Sequence, residues 1–386
     1  MPKQLSKRVS NYELFFDLSM VMAISNLTSS IHISHLIFSN LFAFIMVSVI
    51  LLNVWYNELF YYNKYGDSRR IDIFTVVALM FVMGNLALNF NFGMVKMTAG
   101  THRVIWFNSL LILAYLIIAL QFFLKGRVLG FNNDIKTHIV RLLVAAVSLI
   151  PFAVGLIGAS PVTSLIYLIP FISHYLIRFD KNADRNGLNF PHMMERMQLM
   201  TILVFGETVI AIIQTYPLSS HPIDSILLFL GMALLFMFYM TQTFLSIDHH
   251  SNREASLLFF AHLLIFLGVN FFTVGIEFLV DAHHASIGHW LFLFGVLLYF
   301  IGVLSTAIYN QELYRFNKSA WFLFIFIILL SGIVIALSGT RVWLLGLILI
   351  ISAHSISRLN MLFRRKTRER NHIAHPDPTK NRRDFS

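Results

Sequence analysis

The sequence predicts an all-α, polytopic bundle of transmembrane helices, and three observations predict it. Apolar residues fill 57% of the 386 positions and charged residues only 12%, about half the ~25% typical of soluble domains. The apolar residues gather into windows of about 20, the length that crosses roughly 30 Å of hydrocarbon. All but three of the 29 Lys and Arg fall in alternate connections, the bias that marks cytoplasmic loops.

Taken in order, the windows are 12–31, 36–59, 71–92, 103–124, 138–158, 161–179, 195–215, 222–246, 256–280, 288–309, 320–338 and 341–362. The first opens after Lys3, Lys7 and Arg8 and contains Glu13 and Asp17. It lacks the small-residue cleavage pattern of a signal peptide and reads as a retained span. Gly158-Ala159-Ser160-Pro161 and Ser338-Gly339-Thr340 are short turn-forming joints, each expected to link two antiparallel spans. Only Lys96, Arg103 and Arg341 fall on the other side. Twelve crossings with both termini cytoplasmic satisfy this alternation.

Residues 1–362 therefore read as one membrane domain, with candidate halves 1–180 and 190–362. The repeat signal is short. His174 followed by Arg178 ends the sixth window and His354 followed by Arg358 ends the twelfth. Tyr56…Ser68-x-Arg70 matches Tyr239…Ser251-x-Arg253, and Glu13 falls near Glu195. A parallel 6+6 repeat, as in some transporter folds, would produce this. Residues 363–386 form a basic, polar tail, read as a topology anchor in contact with anionic lipid headgroups. Beyond Phe363 at its start, its one aromatic, Phe385, is too little for base stacking, so nucleic acid is not an expected partner. With no Cys, disulfides and thiolate sites are excluded. There is also no Gly-rich phosphate loop and no Gly-x-Ser-x-Gly elbow, and no cofactor is expected.

Arg8-Val9-Ser10 followed by Glu13-Leu14-Phe15-Phe16-Asp17-Leu18 resembles the opening segment of the low temperature requirement A (LtrA) family. Glu195-Arg196 with Gly206-Glu207-Thr208-Val209-Ile210-Ala211 resembles a second block of that family, with Met197 where Phe is usual and Phe205 in place of Leu. His262 with Gly268 gives a third, weaker match. The resemblance covers nearly the whole chain. It implies a multi-pass protein of the bacterial inner membrane, linked to growth in the cold, and supplies no substrate.

Ionisable residues at membrane depth are costly and are functional candidates by default. Glu13 and Asp17 share one face of the first span. Glu207 lies ~17 Å along the seventh span from Arg196, on the same face, near mid-membrane by this count. These residues, with Glu195, Arg196, His262 and Glu277, are the candidates for a proton or substrate path. Glu58, Asp72, Arg141, His174, Arg178, His354 and Arg358 sit at inner helix ends, where they form either a salt-bridge network or separate snorkelling groups. Asn85, Asn89, Asn91 and Asn270 read as amide bridges between helices or as the lining of a polar cavity. His32, His35, His102, His221, His283, His284 and His289, with Asp224 and Asp281, fall on the outer side. Their spacing reads as solvated loop residues rather than a metal site.

The function these features favour is proton-coupled movement of a small solute across the bacterial cytoplasmic membrane. Two alternatives stay open: a membrane-embedded enzyme acting on lipid, and a non-catalytic protein of cold or stress adaptation. Polar residues running to both surfaces would favour transport. A one-sided pocket with a lateral opening would favour an enzyme. Fully paired buried charges and no cavity would favour the third reading.

Overall fold

The computed structural model describes residues 7–33, 36–67, 69–90, 99–179, 187–251 and 253–374. Among them no extended strand occurs, and twelve α-helices follow the apolar windows in order. They are α1 (Asn11–Ser29), α2 (Phe38–Lys64), α3 (Arg70–Ala87), α4 (His102–Leu129), α5 (Asn133–Ala153) and α6 (Ile169–Leu176), then α7 (Phe190–Thr215), α8 (Pro222–Met240), α9 (Ser256–Phe278), α10 (Ala285–Ser305), α11 (Lys318–Ser338) and α12 (Val342–Arg370).

Ten of the described helices are long and apolar enough to cross a membrane. The other two are α1, whose 19 residues include the two acids, and the sixth segment. That segment is a 3₁₀ stretch, Thr163–Leu168, running into the eight residues of α6. Both short joints form as turns. Gly339 takes φ +68° in open space, and Ser160 and Thr163 cap one another, with N···O distances of 2.9 and 3.2 Å. α8 ends in a π-helical turn, Thr241–Ser246, a local widening often found at functional sites.

The chain packs as two compact units, Lys7–Arg196 and the residues from Met197 onward. The division falls inside α7, not in the 180–190 connection. In the first unit α1 packs on α3, α2 on both α4 and α6, α3 on α4, α4 on α5, and α5 on α6. In the second, α8 packs on α12, α9 on α10, α10 on α11, and α11 on α12. Hydrogen bonds there add α7 to α9, through Thr208–Thr273 at 2.7 Å, and α8 to α10, through Tyr299 to the Leu235 carbonyl at 2.5 Å. Six neighbour pairs thus recur with a shift of six helices. The matched sequence positions fall on corresponding helices: Tyr56 and Tyr239 on α2 and α8, His174 and His354 on α6 and α12.

Lipid-facing surface is clearest on α11, where only 28% of the apolar window is buried, against 83% of α9. Phe322, Leu329 and Leu337 stand exposed along α11, the expected face toward hydrocarbon.

Candidate functional site in the first helical unit

The site begins with how two helices start. Ser10 caps α1: its hydroxyl accepts from the Glu13 N–H at 3.3 Å, and the Glu13 carboxylate accepts from the Ser10 N–H at 2.9 Å. This capping box satisfies two orphan donors and fixes the Glu13 side chain. Asn189 caps α7, its side-chain oxygen accepting from the His192 N–H at 3.1 Å. Asn63 of α2 braces that cap, receiving the Asn189 N–H at 2.8 Å and donating to its carbonyl at 2.8 Å.

Held this way, α1 and α7 meet in two rungs. Glu13 Oε1 lies 3.0 Å from His192 Nε2. One helical turn further, Asp17 takes a two-pronged contact from Arg196, with Nη2 donating to Oδ1 at 2.9 Å and Nη1 donating to Oδ2. Both rungs have the same sequence offset, so the two segments run parallel. Trp55 of α2 donates its indole N–H to Asp17 at 2.9 Å, and its ring lies 5.7 Å below the Arg196 guanidinium. All five of these side chains are almost wholly buried. A fork-shaped guanidinium matched to a carboxylate is the strong form of such a pair, and an unpaired charge at this depth would be severely penalised.

The hydrogen bonds also fix the state of His192. Asn63 must point its oxygen at the Asn189 N–H, so its NH₂ faces His192 Nδ1 at 3.0 Å. Nδ1 therefore accepts, and Nε2 carries the proton toward Glu13. These contacts leave His192 with Nδ1 as an acceptor and Nε2 facing Glu13, one turn from the Asp17–Arg196 pair.

Behind the ladder, polar side chains continue along α2 and α4. The buried Glu58 accepts from Gln121 at 3.2 Å, and Gln121 also donates to Thr75 at 3.0 Å. One Glu58 oxygen has no hydrogen-bond partner. Asn57 donates to Asn53, and Tyr115 donates to Asn53 at 3.0 Å. A small recess, about large enough for one water, lies here, bordered by Asn53, Asn57, Tyr115, Arg141 and His174. Arg141 meets His174 Nδ1 at 3.2 Å and donates to the Ile177 carbonyl at 2.8 Å. At the opposite end of the unit from the ladder, a pocket of about 740 Å³ is formed by the start of α2, the end of α3, the start of α4 and the turn before the 3₁₀ stretch. Its wall is mostly apolar, with Ser39, Asn89, Arg103 and Ser160 as polar points and the Tyr167–Asn108 hydrogen bond (3.0 Å) in its lining.

The remaining candidates are dispersed. Among the described residues Asp72 pairs with no cation: its carboxylate closes the start of α3, receiving the Tyr61 hydroxyl at 2.5 Å and the N–H groups of Asp67 and Arg69. Glu195 is exposed, one position off the ladder face. Arg178 stacks 5.9 Å from Tyr175. His354 and Arg358 are exposed on α12, in the second unit. Glu207 is half-buried in α7, 17 residues from its start and 8 from its end, hence beyond the middle of the helix. A side chain at Gly206 would meet nothing within 4 Å, so this glycine serves no close approach. Glu277, in the last turn of α9, lies within the electrostatic field of Glu207. His262 donates from Nδ1 to the Leu258 carbonyl at 2.8 Å and accepts the Tyr239 hydroxyl at 2.9 Å. Both its nitrogens are thus committed to packing. Among the described residues no three His, Asp or Glu converge as metal ligands. His35 and Asn91 lie outside the described residues.

Comparison with known families adds one decisive match. The profile described as "Bacterial low temperature requirement A protein (LtrA)" fits residues 8–353, from the arginine before the capping box to the serine-rich middle of α12. The chain belongs to this family. No curated protein and no solved structure matches it. Both blocks that carry the family resemblance meet in the ladder: Glu13 and Asp17 from the first, Arg196 from the second. His192, Trp55, Asn63 and Asn189 complete it and were not singled out by the sequence reading. The available signal was spacing: His192 and Arg196 stand four apart, as do Glu13 and Asp17.

Proposed function

We propose that this LtrA-family chain is a proton-coupled transporter of a small solute in the bacterial cytoplasmic membrane, with its path in the first unit and not at Glu207. The observation that carries this reading is a pocket and a protonatable charge ladder at opposite ends of one unit, with Asn53, Asn57, Glu58, Tyr115 and Gln121 between them. A purely structural role would call for neither the pocket nor the inner cavity. The Lys and Arg distribution puts the ladder end in the cytoplasm and the pocket outside. Arg103, Ser39, Asn89 and Ser160 suit a partly apolar solute bearing an acidic or hydrogen-bond-accepting group. The basic tail would hold anionic headgroups on the cytoplasmic face.

Coupling follows from the His192 tautomer. A second proton on His192 turns Nδ1 into a donor facing the Asn63 NH₂, two donors that repel. Asn63 must then turn, releasing Asn189 and the start of α7. Protonation from the cytoplasm would loosen this end, and deprotonation would close it.

The absence of Cys makes the test direct. Single Ser160→Cys and Asn57→Cys proteins are labelled in intact cells and in inverted vesicles with a membrane-impermeant maleimide. Ser160→Cys should label from outside. Asn57→Cys should label from the cytoplasmic side, more as pH falls, and lose that dependence with His192→Gln. Absence of labelling at Asn57→Cys from either side at any pH, in a protein that folds, would remove the path. Growth in the cold, the phenotype in the family's description, supplies the activity readout: His192→Gln should lose it at matched expression and Glu207→Gln should keep it.

A further inference from the structure

A second recess lies in the second unit, lined by residues the transport reading does not use. The segment after α8 is fastened to the segment after α10. Asp248 N–H donates to the Tyr309 carbonyl at 2.8 Å, Gln311 N–H donates to the Ser246 carbonyl at 2.9 Å, and the Tyr309 hydroxyl accepts from the Leu258 N–H at 3.1 Å. Fixed in this way, the start of α9, the end of α10 and the start of α11 border an open groove.

The groove has two chemistries at two levels. Leu257, Phe260 and Leu264 are spaced along one face of α9 and form an apolar wall that runs into the span. At its mouth stand Arg253 and Arg315, with Trp321 beside them at the start of α11. Arg253 is anchored by donation to the Ile308 carbonyl. Arg315 keeps 54% of its side chain exposed and is only loosely matched by Glu312 at 3.6 Å, whose own side chain is 90% exposed. Guanidinium groups grip phosphate oxygens with paired N–H donors. Basic pockets between helix ends on the cytoplasmic side suit anionic lipid headgroups, and a Trp at that level is an ordinary interfacial anchor.

We infer that this groove is a binding site for one anionic glycerophospholipid, its phosphate held by Arg253 and Arg315 and an acyl chain laid along Leu257, Phe260 and Leu264. Charge complementarity selects this occupant: a neutral apolar partner would leave both arginines at the mouth unused, and a free anion would leave the α9 wall bare. The inference is independent of whether the first unit transports anything.

The full-length protein in nonionic detergent is titrated with phosphatidylglycerol while thermal unfolding and native mass spectra are recorded. Phosphatidylglycerol should raise the melting temperature and give a one-lipid adduct; phosphatidylcholine with the same chains and inorganic phosphate should do neither. Arg315→Gln should weaken the adduct about tenfold, the order expected for one charge-assisted contact. Leu264→Trp, which fills the apolar wall and keeps both cations, should weaken it at least as much. Equal stabilisation by phosphatidylcholine would overturn the site in favour of general lipid solvation. Stabilisation by inorganic phosphate alone would make it an anion site. An adduct unchanged in both variants would move the lipid to the basic tail, and protection of the groove only in a dimer would make it a contact between copies.

Discussion

The two units share an order of helix neighbours but are joined by opposite means. In the first, helices are linked through long polar side chains: Glu13–His192, Asp17–Arg196, Trp55–Asp17 and Gln121–Glu58. In the second, α9 and α10 meet through glycines spaced seven apart, Gly268 against Gly295 and Gly275 against Gly288, with Gly302 against Ala261 and Ile265. A Cβ on Gly268 would sit 2.5 Å from the Tyr299 nitrogen, and one on Gly295 2.5 Å from the Phe272 nitrogen. Helices in lipid gain little from burying apolar surface against each other, so close backbone approach and interhelical hydrogen bonds must hold them. The first unit uses polar side chains, and the second combines a glycine seam between α9 and α10 with hydrogen bonds such as Thr208–Thr273. Side-chain bridges hold helices apart, leave cavities between them and respond to protons. A glycine seam carries no titratable group, and this is why the functional proposal rests in the first unit.

The sharpest way to break the comparison is to remove a rung. Arg196→Leu strands Asp17 in a water-poor interior, at a cost of roughly 3–5 kcal/mol, and detergent melting should fall accordingly or the protein should fail to insert. Asp17→Leu with Arg196→Met removes both charges and should recover most of that stability while abolishing cold growth. A single Arg196→Leu that melts like wild type would mean the ladder does not hold the unit together.

The glycine seam predicts the mirror result. Gly295→Ala should destabilise by about 1–3 kcal/mol, the usual cost of overpacking, although it adds one methyl and no charge. Its melting deficit should not change with pH. A tolerated Gly295→Val would mean that α9 and α10 can separate without penalty.

Much of this was legible in the sequence, and the boundary is physical. Apolar window length exposed nearly every helix, because the 1.5 Å rise and the bilayer thickness leave little choice. The sixth window, 161–179, read as a span although its first turn is 3₁₀, since hydropathy does not register hydrogen-bond pattern. Glu13, Asp17 and Arg196 stood out because a charge among apolar residues is visible on one line of text. His192 did not, since its importance comes from Asn63 and Glu13, 129 and 179 positions away. Glu207 stood out for the same reason, but position along a helix says nothing about which face is covered, and the side chain is half-buried. Asp72 looked like part of an ion network, yet its carboxylate accepts the Arg69 N–H that opens α3.

A middle-sized effect tests whether the second unit's few polar contacts carry load. Tyr239→Phe leaves the buried His262 Nε2 without its donor, and the loss should be about 1 kcal/mol, the scale of buried interhelical hydrogen bonds in membrane proteins. Cold growth should be unaffected, because His262 lies outside the proposed path. Loss of growth at wild-type stability would return His262 to the functional site.

The smallest effect separates buried from surface charge within the first unit. Asp67, in the connection between α2 and α3, is exposed and meets Lys125 at 2.9 Å and Arg69 at 2.8 Å. Slight burial pushes its carboxyl upward, but hydrogen bonds with the Asp72 side chain and Lys125, and the charges of Lys125 and Arg69, outweigh it and hold the group at about 2. A carboxyl lowered from about 3.8 in the unfolded chain contributes stability above that value and loses it as pH falls through the folded one. The difference in melting between wild type and Asp67→Asn should therefore be constant from pH 7 to about 4 and vanish toward pH 2. It should stay below about 1 kcal/mol, as exposed pairs do, and shrink in high salt. Salt should leave the Arg196→Leu deficit untouched, because that pair is out of reach of counterions. A salt-insensitive Asp67→Asn effect persisting at pH 2 would show that Asp67 acts through the α3 cap and not through its cations. The line drawn here between a screened surface and an unscreened ladder would then run through Asp72.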